Sequence, residues 1–115
     1  MPDESIRVAF IGANVGPMSE GLQHYTDDLL YHEVWLRPAL APRERNLATI
    51  AALIAASQTE FLPFYLNRAV EKGISKAQVS EMLAHLAFYG GWPAVISATG
   101  VVKEFFANRP TKSET

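Results

Sequence analysis

The chain contains no cysteine. Without a thiol, a protein forms no disulfide, and it has no thiolate to act as a nucleophile, a redox centre or a zinc ligand. Disulfide-stapled folds, thiol enzymes and proteins with Cys-ligated zinc are therefore excluded as classes.

Long apolar runs and an excess of basic residues are lacking as well. The longest apolar-rich segment, residues 47–56, is interrupted by Thr49, whereas a helix that crosses a bilayer needs about 20 apolar residues. The 10 Lys and Arg do not outnumber the 12 Asp and Glu. The acidic N-terminus lacks the basic stretch and apolar run of a secretory signal. We therefore expect a cytoplasmic protein that binds neither nucleic acid nor a membrane.

The remaining composition is typical of a small globular domain. The chain has 115 residues, of which 49% are hydrophobic. A domain of this size has a large surface for its volume, so self-association is expected. We interpret residues 1–17 as an N-terminal arm, residues 18–109 as a helical domain and residues 110–115 as a polar tail.

Apolar periodicity and helix start and stop signals place the first two helices. After Ser19, the predicted N-cap, apolar residues recur every three to four positions until Pro38 ends the element. Pro42 opens the next helix, which extends through Ala56. From Leu47 onward this helix is apolar nearly all round, which predicts burial on all sides, in the core and at a subunit interface.

The second half of the chain predicts three more helices. Pro63 starts one that stops at Gly73, a glycine typical of the position after a helix. Ser75 and Gln78 match a capping box for a helix over residues 76–89.

Pro93 opens the last predicted helix, which ends near Asn108. A short alternating run near the N-terminus has no clear strand partner later in the chain. The predicted fold class is therefore all-α, a bundle of about five to six helices that oligomerises.

A polar stripe in the fourth predicted helix is the first candidate for chemistry. Glu81, His85 and Tyr89 are four residues apart and share a helix face within an otherwise apolar segment. A carboxylate, an imidazole and a phenol are costly to bury unless each finds a partner. The stripe is therefore either a catalytic group or a satisfied structural network in which His85 bonds to Glu81 or to a backbone carbonyl.

Four sequence blocks carry a resemblance to a known family. In chain order they are VWLRPAL, RERNLATIAALIA, LPFYLNRAVEKG and HLAFYGGWP, at residues 34–40, 43–55, 62–73 and 85–93. Together they resemble the carboxymuconolactone decarboxylase family, whose other main branch is the AhpD-like alkylhydroperoxidases. The resemblance implies an AhpD-like helical bundle that assembles into a homo-oligomer, a trimer or a hexamer, and needs neither a cofactor nor a metal.

The chain departs from the peroxidase branch at each relay position. That branch uses Cys-x-x-Cys-x-x-x-His with a glutamate upstream. Gln58, Phe61 and Tyr65 stand at the positions of the two cysteines and the histidine, and Asn46 lies near the position of the glutamate. A peroxidase of this kind needs its thiolate, so the resemblance does not extend to alkylhydroperoxidase activity.

The decarboxylase branch requires no thiol. Loss of carbon dioxide leaves an enolate that hydrogen-bond donors stabilise and an acid then protonates. On this resemblance His85 is the expected proton donor and Glu81 orients it, since imidazole exchanges protons near neutral pH. Tyr65, where the family usually has histidine, is the expected donor to the oxyanion; the alternative is an aromatic residue of the core.

Substrate binding is predicted for nearby cationic and aromatic side chains. A guanidinium group can hold a substrate carboxylate through two hydrogen bonds. The candidates for this clamp and for the pocket walls are Arg37, Arg43, Arg45, Trp35 and Trp92. The alternative is structural: the arginines fix the loop between two helices, and the tryptophans anchor packing.

Two functions follow as hypotheses. The first is a cofactor-independent decarboxylase, or a related enolate-forming lyase or isomerase, that acts on a small carboxylated or lactone substrate. The second is a non-catalytic family member that binds a small molecule or a partner protein, because the peroxidase relay positions are all replaced.

Overall fold

The computed structural model describes residues 19–109, and every regular element among them is helical. The all-α prediction is therefore confirmed for this part of the chain. The predicted N-terminal arm and polar tail lie outside the described residues. The chain divides into two compact units, with the boundary between Pro42 and Arg43.

The first unit contains a helix that changes its winding. Helix α1 (Glu20–His24) continues into a π-helix (Tyr25–Tyr31), and a short 3-10 helix (Val34–Leu36) follows. The predicted N-cap is confirmed, because the Ser19 Oγ accepts a hydrogen bond of 3.0 Å from the Leu22 N–H.

Four α-helices form the second unit, and the first of them begins at the boundary residue. They are α2 (Pro42–Ala55), α3 (Leu62–Glu71), α4 (Lys76–Leu86) and α5 (Trp92–Ala107). A 3-10 turn (Thr59–Phe61) leads into α3. The core consists of apolar side chains from all four helices and the α3–α4 connection: Ile50, Ile54, Leu62, Leu66, Ala69, Ile74, Val79, Leu86, Val95, Ala98 and Val102. Among residues 19–109, no helix has the length and hydrophobicity needed to cross a membrane.

Helix α2 buries one face within the chain. Asn46, Ile50 and Ile54, spaced four residues apart, form a buried stripe, but Ala48 and Ala52 are exposed. Within the described chain the helix is therefore buried on one side, and burial of its other side at a subunit interface stays a prediction. Alanine counts as apolar, yet its side chain is small and favours helix formation on a surface.

Local capping rules set the connection between α3 and α4. The Gly73 N–H bonds to the Val70 carbonyl and the Ile74 N–H bonds to the Ala69 carbonyl, both at 3.0 Å, and Gly73 has a φ of 97°. This is the Schellman arrangement, in which a residue without a Cβ adopts the left-handed conformation. The predicted stop at Gly73 is confirmed.

The start of α4 follows the predicted capping box. The Gln78 N–H donates to the Ser75 Oγ at 3.1 Å, and the Ser75 N–H donates to the Gln78 Oε1 at 2.9 Å. Two backbone donors that the helix itself leaves unsatisfied are thereby paired.

The end of α4 differs from the prediction. The helix stops at Leu86 and not at Tyr89, and a turn leads to Gly91, which has a φ of 96°. The Gly90 N–H closes this turn on the Leu86 carbonyl at 2.6 Å. Pro93, in the first turn of α5, agrees with the predicted start of the last helix.

We expect Ser75→Ala to lower the free energy of unfolding by about 1 kcal/mol, because it removes the side-chain acceptor of the capping box. Urea denaturation at fixed protein concentration measures the change. Ser80→Ala is the matched control, since Ser80 is exposed within the same helix, and it should leave stability within about 0.5 kcal/mol. Equal effects of the two substitutions would contradict the role of the cap.

Candidate active site

His85 and Tyr89 lie side by side at the C-terminal end of α4. Their ring centroids are 5.0 Å apart at an interplanar angle of 32°. His85 and Glu81 are on the last turns of the helix, while Tyr89 lies in the turn beyond it. The Phe88 N–H bonds to the His85 carbonyl at 3.2 Å and the Tyr89 N–H bonds to the Leu86 carbonyl at 3.0 Å, so the turn continues a helical winding that keeps Tyr89 beside His85.

All three members of this stripe are exposed. Solvent hydrates each of the three groups, so none of them requires a hydrogen-bond partner within the protein. Within residues 19–109 the imidazole forms no hydrogen bond or ion pair, with Glu81 or any other side chain. The imidazole is accessible to a ligand, and its orientation by Glu81 stays a prediction.

Four exposed apolar side chains follow His85 in the chain, and one of them, Tyr89, contacts its ring. Phe88, Tyr89, Trp92 and Ile96 are 75%, 79%, 57% and 63% exposed, and we refer to these four residues as the aromatic surface. The Phe88 and Trp92 rings meet edge to face with centroids 5.5 Å apart. Exposed apolar clusters of this kind commonly mark a surface that binds a ligand or another protein.

Tyr65 occupies a different environment. Its side chain on α3 is 4% exposed and packs edge to face on Phe64, with centroids 4.9 Å apart. No hydrogen bond or ring contact joins it to His85 in the part of the chain that the structure describes. The structure thus places Tyr65 among the core residues, and its role as an oxyanion donor stays a prediction.

The other positions that align with the peroxidase relay are divided between core and surface. Asn46 is fully buried on α2, whereas Gln58 and Phe61 are exposed before α3. These positions therefore do not line a single exposed surface in this chain.

Two of the predicted arginine clamps already face carboxylates. The Arg37 Nε is 3.5 Å from Glu33 Oε2, and the Arg43 Nη1 is 3.4 Å from Glu44 Oε2. Both pairs are at least partly solvated, so water and a competing carboxylate can displace them at little cost. Arg45 is half-buried at the start of α2.

The two tryptophans differ sharply. Trp35 is buried in the first unit, where its ring lies 6.2 Å from that of Tyr31, as the packing alternative predicts. Trp92 belongs to the aromatic surface and is available to a ligand or a partner.

Sequence reasoning did not find the clefts of the second unit. One of about 460 Å³ lies between α3 and α5, where the Arg109 Nη1 donates to the Asn67 Oδ1 at 2.8 Å. A second cleft of about 350 Å³ lies between α4 and α5 and contains Lys76 and Lys103. Each brings together residues that are distant in sequence and belong to no motif, so no signal in the chain indicated them.

The chain resembles known proteins over most of its length. A family model described as the carboxymuconolactone decarboxylase family matches residues 20–104. A 4-carboxymuconolactone decarboxylase from Acinetobacter baylyi is 30% identical over 93 residues, which are 81% of this chain and 69% of that protein. The nitrosuccinic acid decarboxylase npaB from Metarhizium robertsii is 26% identical over 101 residues, 88% of this chain and 71% of that protein.

We expect His85→Gln to change the free energy of unfolding by less than about 0.5 kcal/mol, because the imidazole is exposed and forms no hydrogen bond within residues 19–109. Tyr65→Ala should cost about 3 kcal/mol, since it empties a buried site. Tyr89→Ala, which removes an exposed ring, is the matched control for Tyr65. Urea denaturation of the three variants checks this ranking, and a large loss in His85→Gln would be inconsistent with the exposed position.

Proposed function

The chain belongs to the carboxymuconolactone decarboxylase family, and from this membership we propose a specific activity for it. The protein is a cofactor-independent decarboxylase, or a related enolate-forming lyase or isomerase, that acts on a small carboxylated or lactone substrate. The two relatives support the reaction type, because both are named as decarboxylases although the acids in their names are chemically different. The proposed site rests on His85, which is exposed and whose ring contacts Tyr89 of the aromatic surface.

The reaction needs few groups from the protein. The bond between the carboxylate carbon and its neighbour breaks, carbon dioxide leaves, and the electron pair stays on the substrate as an enolate. A proton must then reach that carbon. His85 is the proposed proton donor, because its ring is open to a ligand and imidazole gives up a proton near neutral pH.

The aromatic surface gives this proton transfer a suitable environment. A carboxylate that leaves water for a surface such as Phe88 and Trp92 loses solvation, whereas carbon dioxide and a delocalised enolate lose less. Substrate binding on these rings therefore favours the departure of carbon dioxide. It also keeps water from competing with the substrate for the His85 proton.

The remaining predicted groups complete the proposal. Arg43 and Arg45 lie on the first turns of α2, and one of them is the proposed holder of a second acidic group of the substrate. Glu81, one helical turn before His85, orients the imidazole when substrate binding excludes water. Tyr65 is a core residue, and its proposed role as oxyanion donor requires its hydroxyl group to extend from the core to the bound substrate.

We further propose that the protein is a homo-oligomer. An aromatic side chain buries about 150–250 Å² when covered, so the four residues of the aromatic surface expose roughly 500 Å² between them. A stable interface buries about 800 Å² on each partner. The aromatic surface therefore supplies a large part of what one contact between two copies requires, and a trimer or hexamer is the proposed assembly.

One observation favours the second function, a non-catalytic binding protein. Within residues 19–109 no side chain holds His85 in a fixed orientation by hydrogen bonding, whereas catalytic groups are usually held by their neighbours. Such a protein would use the same aromatic surface to bind a small molecule or a partner protein without turnover.

We expect the purified protein to release carbon dioxide from 4-carboxymuconolactone, nitrosuccinic acid or a member of a β-keto acid panel. His85→Gln should lower kcat at least about 100-fold, because it removes the general acid. His24→Gln is the matched control, since His24 is also exposed on a helix, and it should keep full activity. Mass spectrometry of the products measures turnover.

The outcomes of this assay separate the hypotheses. Turnover that His85→Gln leaves unchanged would keep the reaction and remove His85 from its role. Binding of a panel member without turnover would support the non-catalytic function.

For the assembly, we expect Trp92→Glu to shift the protein to a smaller species in light scattering coupled to size-exclusion chromatography. A charge placed in the centre of an apolar contact is costly to bury. Ala77→Glu, an exposed position near the start of α4, is the matched control and should leave the mass unchanged. A wild-type protein that elutes as a monomer would refute the oligomer.

A further inference from the structure

Two lysines and no acidic residue line the cleft between α4 and α5, in a chain of net charge −2. Lys76 is the first residue of α4, and Lys103 lies in the second half of α5. Both lysines line the cleft, and neither forms an ion pair with a carboxylate of residues 19–109. The cleft thus presents two uncompensated cations to any ligand that enters it.

The floor of the cleft is apolar. Leu83, Val102 and Phe106 line it together with Ser80 and Thr99. The Lys76 Nζ lies 6.0 Å from the centre of the Phe106 ring. This contact holds the ammonium group beside the ring, where an organic anion would meet charge and apolar surface at once.

The cleft and His85 lie on opposite sides of α4. A helix turns by about 100° per residue, so Lys76, Ser80 and Leu83 share one face, and Glu81 and His85 lie about half a turn away. A ligand in the cleft therefore does not contact the candidate active site. Ligand binding in the cleft is therefore independent of the proposed decarboxylase activity.

We propose that this cleft is a binding site for a small organic carboxylate with an apolar body. Its volume of about 350 Å³ lies within the range of small-molecule sites. Lys76 and Lys103 bind the carboxylate, the Ser80 hydroxyl offers a further hydrogen bond, and Leu83, Val102 and Phe106 cover the apolar body. Inorganic phosphate would gain the charge interaction alone, so it binds more weakly. A bound carboxylate bridges α4 and α5, the two helices that also bear His85 and the aromatic surface.

Nuclear magnetic resonance titration of the isotope-labelled full chain with benzoate tests the proposal. We expect the amide signals of Ser80, Leu83, Thr99 and Lys103 to shift, and that of His85 to stay in place. The double variant Lys76→Gln/Lys103→Gln should raise the Kd for benzoate at least tenfold. Lys72→Gln is the matched control, because Lys72 is an exposed lysine outside the cleft, and it should keep the Kd within twofold.

A second variant tests the shape of the cleft without a change in charge. Ser80→Phe places a ring in the cleft from an exposed position and should raise the Kd at least fivefold. Each of three results would overturn the proposal: shifts centred on His85, an equal loss of affinity in Lys72→Gln, or equal affinity for phosphate and benzoate at matched ionic strength. Retained binding in both cleft variants would overturn it as well.

Discussion

A close approach between the α4–α5 turn and the end of α2 determines the geometry of the second unit. A Cβ at position 90 would come within 3.2 Å of the Ala55 Cβ and 3.3 Å of its Cα. Since Ala55 Cα belongs to the backbone of α2, it cannot move aside as a flexible side chain would. The following residue, Gly91, has a φ of 96°, which residues with a Cβ rarely adopt. Two successive glycines therefore meet two separate requirements, one for space and one for backbone conformation.

The aromatic surface is a consequence of this turn. Beyond the end of α4 at Leu86, the Phe88 N–H bonds to the His85 carbonyl and the Tyr89 N–H bonds to the Leu86 carbonyl, so a tighter helical winding continues through Tyr89. Tyr89 therefore stays beside His85, and Phe88 meets Trp92. The same turn sets where α5 begins, and with it the packing of α5 on α4.

The sequence predicted those features that local chemistry decides. The Ser19 cap, the Ser75–Gln78 capping box and the stop at Gly73 follow from hydrogen-bonding and backbone rules that act within a few residues, and all three are confirmed. The α4 helix ends three residues before the predicted position, because Ala87, Phe88 and Tyr89 have side chains that suit a helix but form a turn ahead of Gly90 and Gly91.

The site was less predictable than the fold, for a physical reason. Periodicity shows which residues share a helix face, but it does not show which face the protein buries, so the stripe of Glu81 and His85 was expected in a partly buried setting and is exposed. Lys76 and Lys103 meet only because α4 packs on α5, and no pattern of spacing connects them.

The exposure of His85 links its proposed chemistry to its surroundings. A histidine in water exchanges protons with solvent as readily as with a substrate, so it has no selectivity until water is excluded. Tyr89 already packs on the imidazole, and the aromatic surface to which it belongs is exposed. Each Å² of apolar surface left in water costs about 25 cal/mol, which favours any molecule that covers it. Whatever covers the aromatic surface, a substrate or a second copy of the chain, therefore also creates the dry environment in which His85 can act as an acid.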